Sequence, residues 1–276
     1  MNGADGITGH YTSGTLMDRL RAAVADDGHD PDNPTIEALA PYDQFHGRGM
    51  EATVELADDL KVSADHHLLD VGSGIGGPAR YIADRFGCRV TGIDLTDEFC
   101  AVARTLTRAM NMEASVAIEQ GDALQMPFAD ASFDGAYSMN VSMNIEDKAA
   151  FYREIHRVVK PGGWLVLSEI ARGTGPEPDY PAPWALTAET SFLSTPDETL
   201  KGLEAARFEV KAIEDKVAQS RAFAAKVREI VESGGKPPHR AVQLIHGELG
   251  LTAAENMAAS SREGRILPIE VMCVRR

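Results

Sequence analysis

The sequence predicts an α/β fold built on a doubly wound, largely parallel sheet, and three observations carry that expectation. From residue 66 onward, short runs rich in Val, Ile and Leu alternate with segments whose apolar residues recur at helical spacing, the pattern of strands joined by crossover helices. The first such run, Leu68–Val71, ends in the turn "GSGIGG" just before a helical segment. The 276 residues, 43% hydrophobic and 25% charged, suffice for one sizeable core with accessory segments.

Each element follows from its residues. Residues 1–44 form a polar N-terminal cap segment, with Gly, Asp and Pro gathered in "DDGHDPDNP" and a short helical pattern over Leu16–Val24; a second helix, Met50–Leu60, leads into the main domain, 45–276. Leu68–Val71 is the first strand, and Pro78 sits early in the next helix, where its missing N–H costs little. "RVTGIDL" is the second strand. Thr96 then caps a helix with Phe99, Ala103, Leu106 and Met110 on one face. "SVAIEQGDA" and "FDGAYSMN" are the third and fourth strands. A helix carrying Phe151, Ile155, Val158 and Val159 stops at "KPGG" before the apolar strand "WLVLSEI". Thr195 and Glu198 form a capping box, and "FEVKAIEDKV" and "ILPIEVMCVRR" are alternating strands near the C-terminus. Two stretches fall outside this rhythm, 173–194 and 220–262; insertions of such length are usually lids or substrate walls.

The formal net charge of −15 disfavours nucleic acid and anionic membrane surfaces and suits a cationic or zwitterionic small molecule. Cys88, Cys100 and Cys273 show no C-x-x-C spacing, so neither a disulfide framework nor a zinc site is expected, and a reducing cytoplasm fits. The start "MNGADGITGHYTSG" lacks the pattern of a secretory leader, and no apolar run approaches the roughly 20 residues of a membrane helix.

Gly72, Gly74 and Gly77 satisfy the dinucleotide pattern G-x-G-x-x-G, which by itself does not choose a ligand. Helix amides after such a turn favour an anion, whether a pyrophosphate or an amino-acid carboxylate. Asp70, at the tip of the first strand, decides between them: beside a pyrophosphate a second anion is repelled, whereas a methionyl ammonium or sulfonium is attracted. Asp94 ends the second strand, where a carboxylate can accept hydrogen bonds from ribose hydroxyls, and Asp122 follows the third, where it and a backbone amide can read an adenine edge.

Together, "LLDVGSGIGGPARYIA", "VTGIDL", "GDALQMPFADASFD" and "EIHRVVKPGGWLVLSE" resemble the class I S-adenosylmethionine-dependent methyltransferases, in the small-molecule branch with the sarcosine/dimethylglycine, tocopherol and sugar O-methyltransferases. The resemblance spans about Asp43 to Arg276. It implies a Rossmann-like seven-stranded sheet with an antiparallel C-terminal strand, and S-adenosylmethionine, converted to S-adenosylhomocysteine, across the strands' carboxyl ends. Carried over by position, Asp70, Gly72, Ser73, Gly74 and Gly76 border the methionyl group, Asp94 and Leu95 hold the ribose, Asp122 and Ala123 meet the adenine, and Asn140 lies beneath the cofactor.

Methyl transfer from a sulfonium is an in-line displacement that needs alignment and exclusion of water, no metal, and a base only when the acceptor starts protonated. Where many relatives carry a histidine after the fourth strand, this chain has Asn144, which either hydrogen-bonds a substrate or braces its loop. That favours an acceptor needing little help, such as an amine or amino-acid-like compound, with O-, S- and C-methylation as alternatives. His46 and Tyr42, in "APYDQFHGRG" with Asp43 and Arg48, are the other catalytic candidates. Tyr180, Trp184 and His239 are candidate acceptor contacts, with an aromatic wall suited to a cation. His246 is undecided, His156 is expected in solvent, and His66–His67 are expected to be structural. An NAD-dependent oxidoreductase and a non-catalytic cofactor binder are the rival classes, and a homodimer is left open.

Overall fold

The runs that alternate along the chain become β1 (His67–Val71), β2 (Arg89–Asp94), β3 (Val116–Gln120), β4 (Phe133–Met139), β5 (Val159–Arg172), β6 (Phe208–Asp215) and β7 (Ile266–Arg275). Residues 14–276 are described by a computed structural model; residues 1–13, which include most of the stretch read as lacking a leader, lie outside the described residues. The strands form one sheet in the order β3-β2-β1-β4-β5-β7-β6. β1 pairs in parallel with β2 and β4, β2 with β3, and β4 with β5, while β7 runs antiparallel to both β5 and β6. This is the expected α/β architecture with an antiparallel C-terminal strand.

Ten helices surround it: α1 (Leu16–Asp26), α2 (Ile36–Asp43), α3 (Met50–Asp59), α4 (Gly77–Phe86), α5 (Asp97–Ala109), α6 (Lys148–Val158), α7 (Pro196–Ala205), α8 (Val217–Glu232), α9 (Ala241–His246) and α10 (Leu249–Arg262), counted among the described residues. Successive strand residues face opposite sides of a sheet. Leu69 and Val71 therefore join Phe151 and Ile155 of α6 in one core, and Leu68 joins Ile82 of α4 and Ala103 of α5 in another. Burial on both faces is why the central strands read as continuous apolar runs. A third cluster packs Leu16, Leu20 and Val24 of α1 against Tyr42, Ile75 and Phe99, holding the N-terminal segment over the glycine turn. None of the described helices is long and apolar enough to cross a membrane.

Three local expectations change. Pro161 and the two following glycines do not stop short of the fifth strand: β5 begins at Val159, and its pairing with β4 shifts register between Phe133 and Gly135 to absorb them. Thr96 occupies the cap position of α5 without a side-chain capping bond; Asp94 Oδ1 accepts its amide instead, at 2.9 Å. His156 is half-buried, edge-on to Phe208 at 5.4 Å between ring centres, because α6 turns it toward the packed α7–β6 region. The Thr195–Glu198 capping box forms in full.

Candidate active site

A cavity of about 1200 Å³ opens at the carboxyl ends of the strands, bounded by the tips of β1, β2, β4 and β5, the loops that follow them, and the segments around Phe45 and 216–262. Pockets for single drug-sized ligands typically run about 300–1,000 Å³. This one has room for a nucleoside-sized cofactor and a second molecule.

One end is built by β1, β2 and β3. Gly72 and Gly74 take positive φ values of 76° and 52°, and a side chain at Gly72 would come within 2.2 Å of Val141. The turn therefore presents backbone, not side chains, to the cavity. Asp94 is fixed by two amides, Gly74 N to Oδ2 at 2.8 Å and Thr96 N to Oδ1 at 2.9 Å. A carboxylate offers about four acceptor sites, so two remain for vicinal hydroxyls. Asp122 Oδ1 accepts the Leu124 amide at 2.8 Å, and Asp122, Ala123 and Leu95 line the wall.

Asp70 is 2% exposed, and its Oδ2 has no hydrogen-bond partner among the described residues. Burial is the main cause that pushes its carboxyl up to about 8; the nearby Tyr137 hydroxyl opposes the shift and Asp94 adds to it. A buried carboxylate with one oxygen unpartnered is costly in a cavity wall unless a cation meets it. A sulfonium amino acid supplies that cation; a pyrophosphate would be a third negative group beside Asp70 and Asp94. The residues fit S-adenosylmethionine.

The roof over this end is a buried polar network. Asp43 pairs with Arg80 at 2.9 Å, both nearly inaccessible, and Arg80 also donates to Ile75 O at 2.8 Å. Gln44 donates to Asp43 Oδ1 (2.7 Å) and accepts from Thr53 Oγ1 (2.6 Å), which in turn lies 3.0 Å from His46 Nε2. His46 borders the cavity, and burial, reinforced by neighbouring His239, pushes its imidazole down to about 3, so it is neutral. His239 is held through Nε2 to Gln44 O at 2.8 Å.

The other end lies beyond β4 and β5. Asn144 Nδ2 donates to Trp184 O at 2.6 Å, and Phe192 N donates to Met143 O at 2.8 Å, tying segment 173–194 to the loop after β4. Asn256 donates to Pro181 O at 2.9 Å and His246 Nε2 meets Pro183 O at 3.1 Å, joining the same segment to the late helices. Trp184 is buried in the wall with its indole donating to Ser191 Oγ at 2.8 Å. Glu169, 4% exposed on β5, also lines the cavity, and both its oxygens accept from Ser142 N at 3.2 Å. Burial raises its carboxyl to about 7, against the Ser142 contacts and the Lys148 charge.

The cavity thus brings together Asp70, Gly72, Ser73, Gly74, Asp94, Leu95, Asp122, Ala123, Asn140, Asn144, His46, Trp184 and His239. Three expected residues stand apart. Tyr42 does not line the cavity: α2 turns it into the third core, where its hydroxyl donates to Asp27 Oδ2 at 2.7 Å and its ring lies under Arg240. Tyr180 does not reach the cavity but packs behind Trp184 and Met143. Gly76 is the left-handed N-cap of α4, φ 80°, pressed against Arg80 and not against the cofactor end. Glu169, inside β5 and three residues before its end at Arg172, belongs to no motif that singles it out in the sequence. The cations of 216–262 were hidden in a segment without motif.

The fold and site define a nucleoside-cofactor enzyme of the methyltransferase class. The profile of the methyltransferase domain family matches residues 69–167. The chain is 36% identical over 159 residues to methyltransferase GfsG of Streptomyces halstedii, covering 56% of this chain and 55% of that protein, so it spans about half the length of that relative. It is 31% identical over 198 residues to an O-methyltransferase of Pyrenophora dematioidea, covering 71% and 72% of the two chains. Geranyl diphosphate C-methyltransferase from Streptomyces coelicolor A3(2), solved with Mg²⁺, geranyl diphosphate and S-adenosylhomocysteine, superposes with a TM-score of 0.64 at 19% identity, covering 82% of this chain and 80% of that one. The chain belongs to the S-adenosylmethionine-dependent methyltransferases.

Proposed function

We propose that the chain transfers the methyl group of S-adenosylmethionine to an oxygen of a small, largely apolar acceptor, with Glu169 as the base that removes the acceptor's proton. When bound, the cofactor supplies a methyl carbon on a positively charged sulfur that departs neutral, leaving S-adenosylhomocysteine. Asp70 meets the methionyl ammonium, Asp94 the ribose hydroxyls, and Asp122 with Ala123 the adenine. Trp184, Met143 and Phe192 wall the acceptor and exclude water, which strengthens every charge interaction inside.

The observation that carries this reading is the buried carboxylate of Glu169 on β5, which lines the cavity. Its oxygens are oriented by the Ser142 amide, and burial brings it to about 7, where a general base works best at neutral pH. His46 is too weakly basic for that task, and Asn144, whose amide nitrogen is bound to Trp184, acts by holding the wall in place. The name of the Pyrenophora relative agrees with an oxygen acceptor. An amine, the acceptor first favoured when no loop histidine was found, is the competing outcome.

The test is a labelled-methyl screen over phenols, alcohols, carboxylic acids, thiols and amines with mass-spectrometric identification of the product, followed by Glu169→Gln. Turnover is expected to rise with pH through about 7 and to fall roughly 10²–10⁴-fold in the variant, with S-adenosylhomocysteine affinity unchanged. An N-methylated product formed at full rate by Glu169→Gln would replace the oxygen reading with the amine one.

A further inference from the structure

The cavity is electrically divided. Its cofactor end carries the carboxylates of β1–β3, Asp70, Asp94 and Asp122, whereas the segment after β6 brings in Lys216, Arg221, Arg228 and Arg262. In a chain with 42 acidic and 27 basic residues, cations are expected to find carboxylates readily. Lys216 does: Glu55, Glu214 and Glu270 surround it at 3.0, 3.2 and 3.1 Å. Arg48 is likewise answered by Glu55. Arg221, Arg228 and Arg262 form no ion pair among the described residues.

Their placement is directional. On α8, Arg221 and Arg228 are two turns apart with Ala224 and Ala225 between them, one helix face, and all four border the cavity. On α10, Met257, Ala258 and Ser261 border it with Arg262 in the last turn. All three arginines are solvent-exposed where they border the cavity. Glu146 and Asp147 face the cavity from the loop after β4, and Asp147 is engaged in capping α6 through Ala150 N at 2.8 Å. α8 and α10 pack on β7, which is three strand positions from β1 in the sheet order.

We propose that the methyl acceptor is an elongated apolar molecule bearing an oxyanion, a carboxylate or a phosphate, that seats between Arg221, Arg228 and Arg262 while its other end meets the methyl donor. This rests on the methyl-transfer function proposed above. Planar guanidinium forks match both oxyanions in bidentate fashion. A local positive field at the mouth also selects an anion despite the negative total charge, which reverses the preference for a cationic ligand read from composition.

The experiment is calorimetric titration of the whole protein, saturated with S-adenosylhomocysteine, with decanoate, decyl phosphate, decanol and decylamine below their micellar concentrations. At least one of the two anions is expected to bind about tenfold or more tightly than decanol, and added NaCl should erode the difference. Whichever anion binds better identifies the oxyanion. The triple variant Arg221→Ala, Arg228→Ala, Arg262→Ala should lose the preference while keeping its affinity for S-adenosylhomocysteine, and the corresponding Arg→Lys triple should recover part of it. Equal or tighter binding of decanol or decylamine, a preference surviving in the Ala triple, or no binding of any decyl compound to the saturated protein overturns the inference and leaves methyl transfer standing. Failure of the wild-type protein to bind S-adenosylhomocysteine overturns the methyl-transfer reading itself.

Discussion

Raising the pH from about 6 to about 8 should tighten S-adenosylhomocysteine binding roughly 50-fold. The reason is Asp70. Burial holds its carboxyl at about 8 in the absence of a cation, with one oxygen unpartnered at the cavity wall. If capture of the ligand's ammonium requires the ionised form, only about 1% of the protein is competent at pH ~6 and about half at pH ~8, a difference of about 2 kcal/mol at 1.36 kcal/mol per pH unit. Below the folded value each binding event then releases close to one proton, measurable as a dependence of the calorimetric enthalpy on buffer ionisation heat. Stability runs the other way. Because the folded carboxyl titrates above its unfolded value of 3.8, the ligand-free protein binds more protons than the unfolded chain between the two, so the contribution of Asp70 is full below about pH 4 and is lost as pH rises through about 8. Asp70→Asn should flatten both trends, melting higher than wild type at pH ~8 without ligand yet binding S-adenosylhomocysteine more weakly. A flat affinity between pH ~6 and ~8, or an Asn variant that binds as well as wild type at pH ~8, would refute the reasoning.

Two further perturbations probe the roof. Arg80→Met leaves the Asp43 carboxylate buried without its cation and should cost about 3–5 kcal/mol of stability; urea denaturation checks this, and a loss below about 1 kcal/mol would mean that water relieves Asp43. His46→Ala should lower turnover more than cofactor affinity. Because the imidazole titrates at about 3, it stays neutral across the assay range, so the pH profile should keep its position, and a displaced profile would show that His46 titrates in catalysis.

What the sequence made legible was whatever is local. Leu68–Val71 and "RVTGIDL" had to be central strands because only burial on both faces tolerates such continuous apolar runs, and strand tips followed by glycine turns place Asp70 and Asp94 without reference to distant residues. Tyr42 lies away from the cavity because proximity to His46 along the chain says nothing about direction: α2 ends between them, and the hydroxyl points to Asp27 while His46 borders the cavity. The pairing of Asp43 with Arg80 and the bracing of Trp184 by Asn144 join residues 37 and 40 positions apart, which no periodicity encodes.

The same distinction separates the net charge from the field inside the cavity. A total of −15 describes the average surface, but binding responds to the field inside a low-dielectric cleft. There Asp70, Asp94 and Asp122 stand at the ends of β1–β3, while Arg221, Arg228 and Arg262, which form no ion pair among the described residues, border the cavity from α8 and α10. Such a cleft orients a bound pair of molecules before any chemistry occurs. On the proposed reading the cationic end of the donor is drawn to Asp70 and the acceptor's anionic tail to Arg221, Arg228 and Arg262, with Glu169 lining the same cavity. On that reading the field that recognises the acceptor's tail also presents its reactive end to the methyl group.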